Sequence, residues 1–258
     1  MLNNKKYIPI SWFKDPRKKS EIYFKNNQEI FFNSSGTTSE SRSKSFFSKK
    51  GIEVYKKESL SFFSKTLTSF FPKTDFHRSQ LLGVSFIPRL ETWPTSSLAQ
   101  MIQWFSDLFS VSYVDSSEGL KSTLEIKKIK WVFATGFHYV NLYDQGFRFP
   151  LPKDTIVFET GGTKFKSRQV SSEQLHKMIQ EMFSISRRQI CTEYGMCELA
   201  SQAYGVNGFL QFPKHVNLWV DTGKKSWQKD GVGTLVVEDQ ARVDVKYPIV
   251  TEDLVDLQ

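Results

Sequence analysis

Between residues 53 and 205, short apolar runs and amphipathic stretches take turns along the chain, and this alternation restricts the fold more than any other feature. Leu60, Phe63, Leu67 and Phe70/Phe71 recur at helical spacing, which predicts a helix over 53–71 ended by Pro72. Gln80–Pro88 reads as a buried strand. Leu98, Met101, Ile102, Phe105, Leu108 and Phe109 form a second helical stripe, with Ser96 or Ser97 as its N-cap. A strand over Val111–Asp115, a helix near 117–128, a strand over Trp131–Thr135 and a short helix over 137–145 follow. Ile156–Phe158 is the next strand. Ser171 and Gln174 have capping-box spacing ahead of a helix reaching Phe183. Gln189–Glu193 reads as a strand, and Tyr194–Glu198 is expected to open another helix. Beyond about residue 208 the runs shorten: 216–220, 234–237 and 249–250 are separated by turns at Asp221–Gly223 and Lys229–Gly231. The expected fold is α/β, a mostly parallel sheet flanked by helices with a β-rich C-terminal part. The same reading divides the chain into a basic N-terminal segment 1–32, an α/β core 33–207 and a β-rich subdomain 208–258.

Composition enters where it excludes alternatives. With 258 residues, 39% of them apolar, the chain can bury a sizeable core without covalent staples. Two cysteines, Cys191 and Cys197, make no disulfide framework and suit a reducing compartment. No apolar run approaches the roughly 20 residues of a membrane span, and Met1–Lys14 lacks an apolar signal region, so a cytoplasmic protein is expected. The net charge of +8 is local, because the first fifty residues carry eleven Lys or Arg against four Asp or Glu. Such a patch attracts phosphates, an acidic partner or an anionic surface, or simply solubilises the segment. No nucleic-acid-binding motif accompanies it, which makes nucleic acid an unlikely partner. Walker, dinucleotide and nucleophile-elbow motifs are absent, and the four histidines are scattered.

Three stretches carry candidate chemistry. In 33–44 every side chain but that of Gly36 is polar, and Ser and Thr dominate. Hydroxyls and free backbone N–H groups there suit polyphosphate oxygens, although such clusters are also ordinary surface loops. In Tyr194–Glu198 an aromatic offers a stacking face, Gly195 lets a ligand approach, and Glu198 can hold Mg²⁺. The plain alternative is a strand–helix junction. In Thr251–Asp253 a carboxylate can accept two ribose hydroxyls, or merely cap a turn. In a parallel sheet ligands sit at the carboxyl ends of strands, where loops 33–44, 160–164 and 193–198 are expected to fall.

In this order, Ser34-Ser35-Gly36-Thr37-Thr38, Tyr194-Gly195-Met196-Cys197-Glu198 and Thr251-Glu252-Asp253 resemble the nucleotide-binding motifs of the adenylate-forming (ANL-like) superfamily. Tyr7–Lys14, Ser96-Ser97-Leu98 with Met101, Thr160-Gly161-Gly162-Thr163-Lys164, Glu193–Tyr204 and Asp239-Gln240-Ala241 are similar to its LuxE-type acyl-protein synthetase branch, so that the likeness covers residues 7–258. The resemblance implies the large-domain fold of that superfamily and an acid–thiol ligase that uses ATP and Mg²⁺. A fatty or other carboxylate attacks the α-phosphate of ATP, and the acyl group of the resulting acyl-adenylate passes to a protein thiol and on to an acyl-accepting protein or reductase subunit. By motif, Ser34, Ser35, Gly36, Thr37 and Thr38 would grip the phosphates, Gly161 and Gly162 would line the adenine and acyl side, and Tyr194 beside Gly195 would stack on adenine. Glu198 would bind Mg²⁺ and act with Thr37 and Thr38 in catalysis, and Asp253 would hold the ribose.

Three departures accompany the likeness. Ser39 stands where the family commonly has Gly, and Cys197 where it commonly has Thr. The family continues past Thr-Glu-Asp into a lid portion carrying a basic residue and the acyl-accepting cysteine, so residues 208–258 are expected to end near the hinge with the lid domain absent. These departures support an alternative, a catalytically degenerate relative that binds a nucleotide, an acyl group or a partner without turnover. Cys197, at the start of the expected helix, is a candidate acyl acceptor because a helix N-terminus lowers a thiol pKa. Cys191, in an apolar strand, is expected to be buried and inert.

Overall fold

The computed structural model describes residues 6–24, 30–34, 42–71, 81–126, 128–161, 170–224 and 226–258. The chain divides into two compact units, the first made of residues 1–59, 196–201 and 212–258, the second of 60–195 and 202–211. In chain order the elements are β1 (Ile8–Pro9), α1 (Lys19–Ile22), β2 (Ile30–Asn33), β3 (Lys44–Phe47) and α2 (Lys49–Ser69). Next come β4 (Gly83–Ser85), α3 (Ser97–Leu108), β5 (Val111–Tyr113), α4 (Ser117–Ile126), β6 (Trp131–Thr135), α5 (Gly136–Asp144), β7 (Ile156–Thr160), α6 (Ser172–Phe183) and β8 (Ile190–Tyr194). Then follow β9 (Ala203–Val206), β10 (Phe209–Gln211), β11 (Val216–Asp221), β12 (Gly231–Asp239) and β13 (Ile249–Leu257).

The second unit is the alternating part. Its described strands form one sheet in the order β10-β9-β8-β7-β6-β4-β5. From β8 to β5 every pairing is parallel, while β9 and β10 return antiparallel. Apolar residues on alternate faces of these strands feed two cores. One face packs Val132, Ala134 and Val157 with Leu120 and Leu124 of α4, Tyr139 of α5, and Leu175, Ile179 and Phe183 of α6. The other packs Trp131, Phe133 and Phe158 with Phe63 and Leu67 of α2 and Met101, Ile102 and Phe105 of α3. Phe63 stacks on Phe105 with ring centroids 3.9 Å apart. Fully burying a Phe contributes about 1.5–3 kcal/mol, so these helices are held by their apolar stripes rather than by intrinsic propensity. The starts of α3 and α6 are those read from the sequence, while α2 begins four residues earlier than expected, at Lys49. Ser96 accepts from the Ala99 N–H at 3.1 Å to cap α3, and Ser171 with Gln174 forms a capping box on α6.

The first unit is β-rich. Its larger sheet runs β1-β13-β12-β11, with β1 parallel to β13 and the other pairs antiparallel. β2 and β3 form a separate antiparallel hairpin in which Ile30, Phe31 and Phe32 face Phe47, Phe46 and Ser45. Phe32, Phe47 and Tyr55 pack as a buried aromatic cluster beneath it, with the rings of Phe47 and Tyr55 stacked at 5.6 Å. Among the described residues no helix is long and apolar enough to cross a membrane.

Two expectations are corrected. The stretch after β8 is not a helix. Leu199 donates to the Met196 carbonyl at 3.1 Å, closing one turn, but the N–H of Ala200 goes to the Asp239 carboxylate at 2.8 Å instead of back to residue 196. With that helical bond diverted, the chain leaves the turn and returns as β9 beside β8. Loop 33–44 does not follow a strand of the parallel sheet either; it joins β2 to β3, whose residues are close enough in sequence to pair directly as a hairpin. Expectations that rest on Pro72 and Gln80 lie outside the described residues.

Candidate functional site

In the first unit the hydroxyl-rich stretch closes at its stem. The Ser34 N–H donates to the Ser43 carbonyl at 3.0 Å, and the Ser43 N–H donates to Ser34 Oγ at 3.0 Å. Ser35, Gly36, Thr37, Thr38 and Ser39 lie outside the described residues. At this stem sits Glu198, 3% exposed, with the Ser43 hydroxyl and the Cys197 thiol as polar neighbours that favour its charged form. Burial raises the Glu198 carboxyl above its ordinary range, while these two neighbours and the Arg242 charge pull it back. Ser34 and Glu198, far apart in sequence, thus share one neighbour, Ser43.

The turn bearing Glu198 is clamped from behind. Arg242, itself buried, donates from Nε to the Glu198 carbonyl at 3.1 Å, from one terminal nitrogen to Asp244 at 3.1 Å, and from the other to Ser45 Oγ at 3.1 Å and the Phe46 carbonyl. Its guanidinium lies 3.5 Å from the centroid of the Phe47 ring. Four acceptors spread over three segments match the fixed fork of an Arg and would not be reached by a Lys. Asp244 also accepts the Ser48 N–H at 3.1 Å at the start of α2.

Cys197 lacks the setting expected of an acyl acceptor. It is 5% exposed and sits in a turn rather than at a helix N-terminus; burial first, and the neighbouring Glu198 carboxylate second, push its thiol well above its ordinary range. Cys191 is buried as expected, and burial pushes its thiol up to about 12.

Thr251-Glu252-Asp253 occupies an irregular point of β13. Thr234 pairs with Leu254 and Val236 with Val250, so Leu235 alone faces all three motif residues in a bulge. Thr251, buried, donates its hydroxyl to the Leu235 carbonyl at 2.9 Å and accepts the Asp253 N–H at 3.1 Å. Asp253 is half-buried and Glu252 exposed.

In the second unit Gly161 follows β7 and Tyr194 ends the adjacent parallel strand β8, at their carboxyl edge. Gly161 has φ +62°, a left-handed conformation that favours glycine. Gly162 lies outside the described residues. Tyr194 is half-buried, and Gly195 follows it over the Glu193 carboxylate: a Cβ at 195 would stand 2.6 Å from Glu193 Oε1. Glu193 is 4% exposed and accepts a hydrogen bond from the Thr160 hydroxyl. Burial raises its carboxyl to about 7. On the next strand Glu159 meets His176 Nε2 at 3.2 Å, both buried. Sequence reasoning gave no role to Glu193 or Arg242, and gave Ser43 only a share in the hydroxyl-rich stretch 33–44. A charged residue within the apolar run Ile190–Glu193 was the available signal for Glu193; nothing local signals Arg242, most of whose partners are distant in sequence.

No protein-family model matches the chain, and no curated protein matches it in sequence. Among solved structures it is similar to coronafacic acid ligase from Pectobacterium brasiliense, with 14% identity and a TM-score of 0.55 over 83% of this chain and 42% of that one. The fold is that of the adenylate-forming enzymes. A double mutant of o-succinylbenzoate coenzyme A synthetase from Bacillus subtilis, bound to a product analogue, gives 12% identity and a TM-score of 0.56 over 92% of this chain and 48% of that one. The same enzyme in complex with ATP and magnesium gives 12% and 0.52 over 86% and 44%. The chain spans less than half the length of each of these adenylate-forming structures.

Proposed function

We propose that this chain takes part in ATP-dependent activation of a fatty or other carboxylate as an acyl-adenylate, for transfer to a thiol of an acyl-accepting protein, in the manner of the LuxE-type synthetases its motifs resemble. The observation that carries the reading is the meeting of Glu198 with the Ser34–Ser43 stem, a buried carboxylate at the foot of a hydroxyl-rich loop. The adenylate-forming fold supports it.

The donor set suits Mg²⁺. Among the described residues no three His, Cys, Asp or Glu side chains cluster as a metal site. Mg²⁺ needs no such cage, since it binds through one or two carboxylates plus substrate phosphates. Glu198 would hold it, and the ion would neutralise phosphate charge. The loop hydroxyls, Ser34 among them, would orient the triphosphate, and Asp253 would accept the ribose hydroxyls. A carboxylate oxygen then attacks the α-phosphorus, the bond to pyrophosphate breaks, and acyl-adenylate forms. Such chemistry needs positioning and charge neutralisation more than a protein nucleophile. The acceptor thiol comes from another protein or segment, because both thiols described here are buried with raised pKa.

The test is ATP–pyrophosphate exchange across a panel of fatty and aromatic acids with Mg²⁺. Carboxylate-dependent exchange is expected, with a loss of at least about tenfold in E198Q. No nucleotide binding and no exchange with any acid would end the proposal.

A further inference from the structure

We propose that Asp239, together with Ser201 and His215, is a positioning group that fixes the Glu198 carboxylate for its cation; this rests on the reading of Glu198 above. Asp239 is buried at the end of β12 and takes three donors on two oxygens: the Ala200 N–H at 2.8 Å, the Ser201 hydroxyl at 2.9 Å and the Ala241 N–H at 3.0 Å. Three residues on, Arg242 holds the Glu198 carbonyl at 3.1 Å. The turn is therefore pinned at Glu198 by its C=O and two residues later by its N–H. Two fixed points on so short a span hold the backbone from which the Glu198 side chain projects.

Ser201 and His215 extend the clamp. Ser201 Oγ lies 2.8 Å from His215 Nε2, the spacing of a nucleophile and its base. A serine has one proton to donate, however, and here it goes to the Asp239 carboxylate, the stronger acceptor. The ring therefore donates its Nε2–H to Ser201 Oγ. Its Nδ1 faces Glu58 of α2 at 3.7 Å. Ser201 is 2% exposed. The arrangement is a strut running from imidazole through hydroxyl to Asp239, and no nucleophile. Mg²⁺ demands near-ideal octahedral geometry, and a carboxylate ligand must be held within about 0.5 Å to meet it. The strut supplies that precision to a turn with no helix of its own.

The full chain is titrated calorimetrically with ATP, first in EDTA and then in excess Mg²⁺. D239N turns an acceptor into a donor facing other donors. S201A, which removes one hydroxyl, is the milder variant that keeps the fold. Both are expected to lower affinity for Mg²⁺–ATP about tenfold while changing affinity in EDTA less than about twofold. Equal losses in the two conditions, or none in either, overturn the positioning role. Amide exchange in the nucleotide-free chain is read in parallel. Faster exchange of Ala200 in D239N is expected, and unchanged exchange there overturns the clamp. A wild-type chain that binds no ATP with or without Mg²⁺ removes the reading of Glu198 as a cation ligand, while the exchange data still decide whether Asp239 fixes the turn.

Discussion

Replacing Glu193 by Gln tests the electrostatics of the parallel sheet directly. Glu193 ends β8 with 4% exposure, and its carboxyl is raised from an ordinary 4.5 to about 7, by burial first, against the opposing Thr160 hydrogen bond, and with the Glu159 charge adding to the rise. The folded chain thus keeps a proton that the unfolded chain has already released. Stability from this group is full below about pH 4.5, falls as pH rises, and levels off above about pH 7. A rise of this size corresponds to roughly 3 kcal/mol. In a chain of this length that is roughly 6–12 °C of melting temperature. Gln keeps the shape and an acceptor for Thr160 but cannot ionise. Calorimetric melts of both proteins from pH 4.5 to 8 are expected to coincide at the acid end and to diverge by that amount at the alkaline end, with E193Q the more stable. Other groups, Glu198 among them, titrate in both proteins, so the difference curve is the readout. Parallel curves across the whole range would refute the argument.

Two further outcomes follow from buried groups. R242M leaves Asp244 buried without its cation and the Glu198 carbonyl without its donor; a loss of about 3–5 kcal/mol in urea unfolding is expected, and a loss under about 1 kcal/mol would show that the fork is not holding these segments. Both thiols are buried with raised pKa, so an aromatic disulfide reagent at neutral pH should titrate neither Cys191 nor Cys197 until denaturant is added; prompt reaction of either would contradict the packing.

The parallel sheet was legible because its signals are local. Trp131–Thr135 as a strand, Ser96 as the cap of α3 and Ser171–Gln174 as the capping box of α6 each depend on neighbours within a few residues. The helix expected from Tyr194 failed for the opposite reason: the N–H that would have continued it was taken by Asp239, a residue far along the chain whose position no local pattern encodes. β13 shows the same limit. Its apolar content announces only Ile249-Val250, and the strand reaches Leu257 because β12 supplies a ladder. The candidate site was legible as motifs and not as geometry. Glu198 and Ser34 were given roles from the sequence, whereas Arg242, which holds the turn, was not.

Glu198 and Asp253 share a construction. Each sits where regular backbone stops, one in a turn and the other in a bulge, and in each a side chain takes the place of a missing backbone partner: Asp239 for the turn, Thr251 for the bulge. If the bulge aims Asp253, its integrity should depend on one hydroxyl. T251V keeps the size and branching of the buried side chain but leaves the Leu235 carbonyl and the Asp253 N–H without it. Each buried group left unsatisfied costs about 1–3 kcal/mol. A drop of several degrees in melting temperature is expected in T251V, with faster amide exchange at Asp253, while T251S, which restores the hydroxyl, should recover the slow exchange. If T251V protects the Asp253 amide as well as the wild type does, the bulge is set by strand pairing alone, and the hydroxyl has no part in presenting the carboxylate.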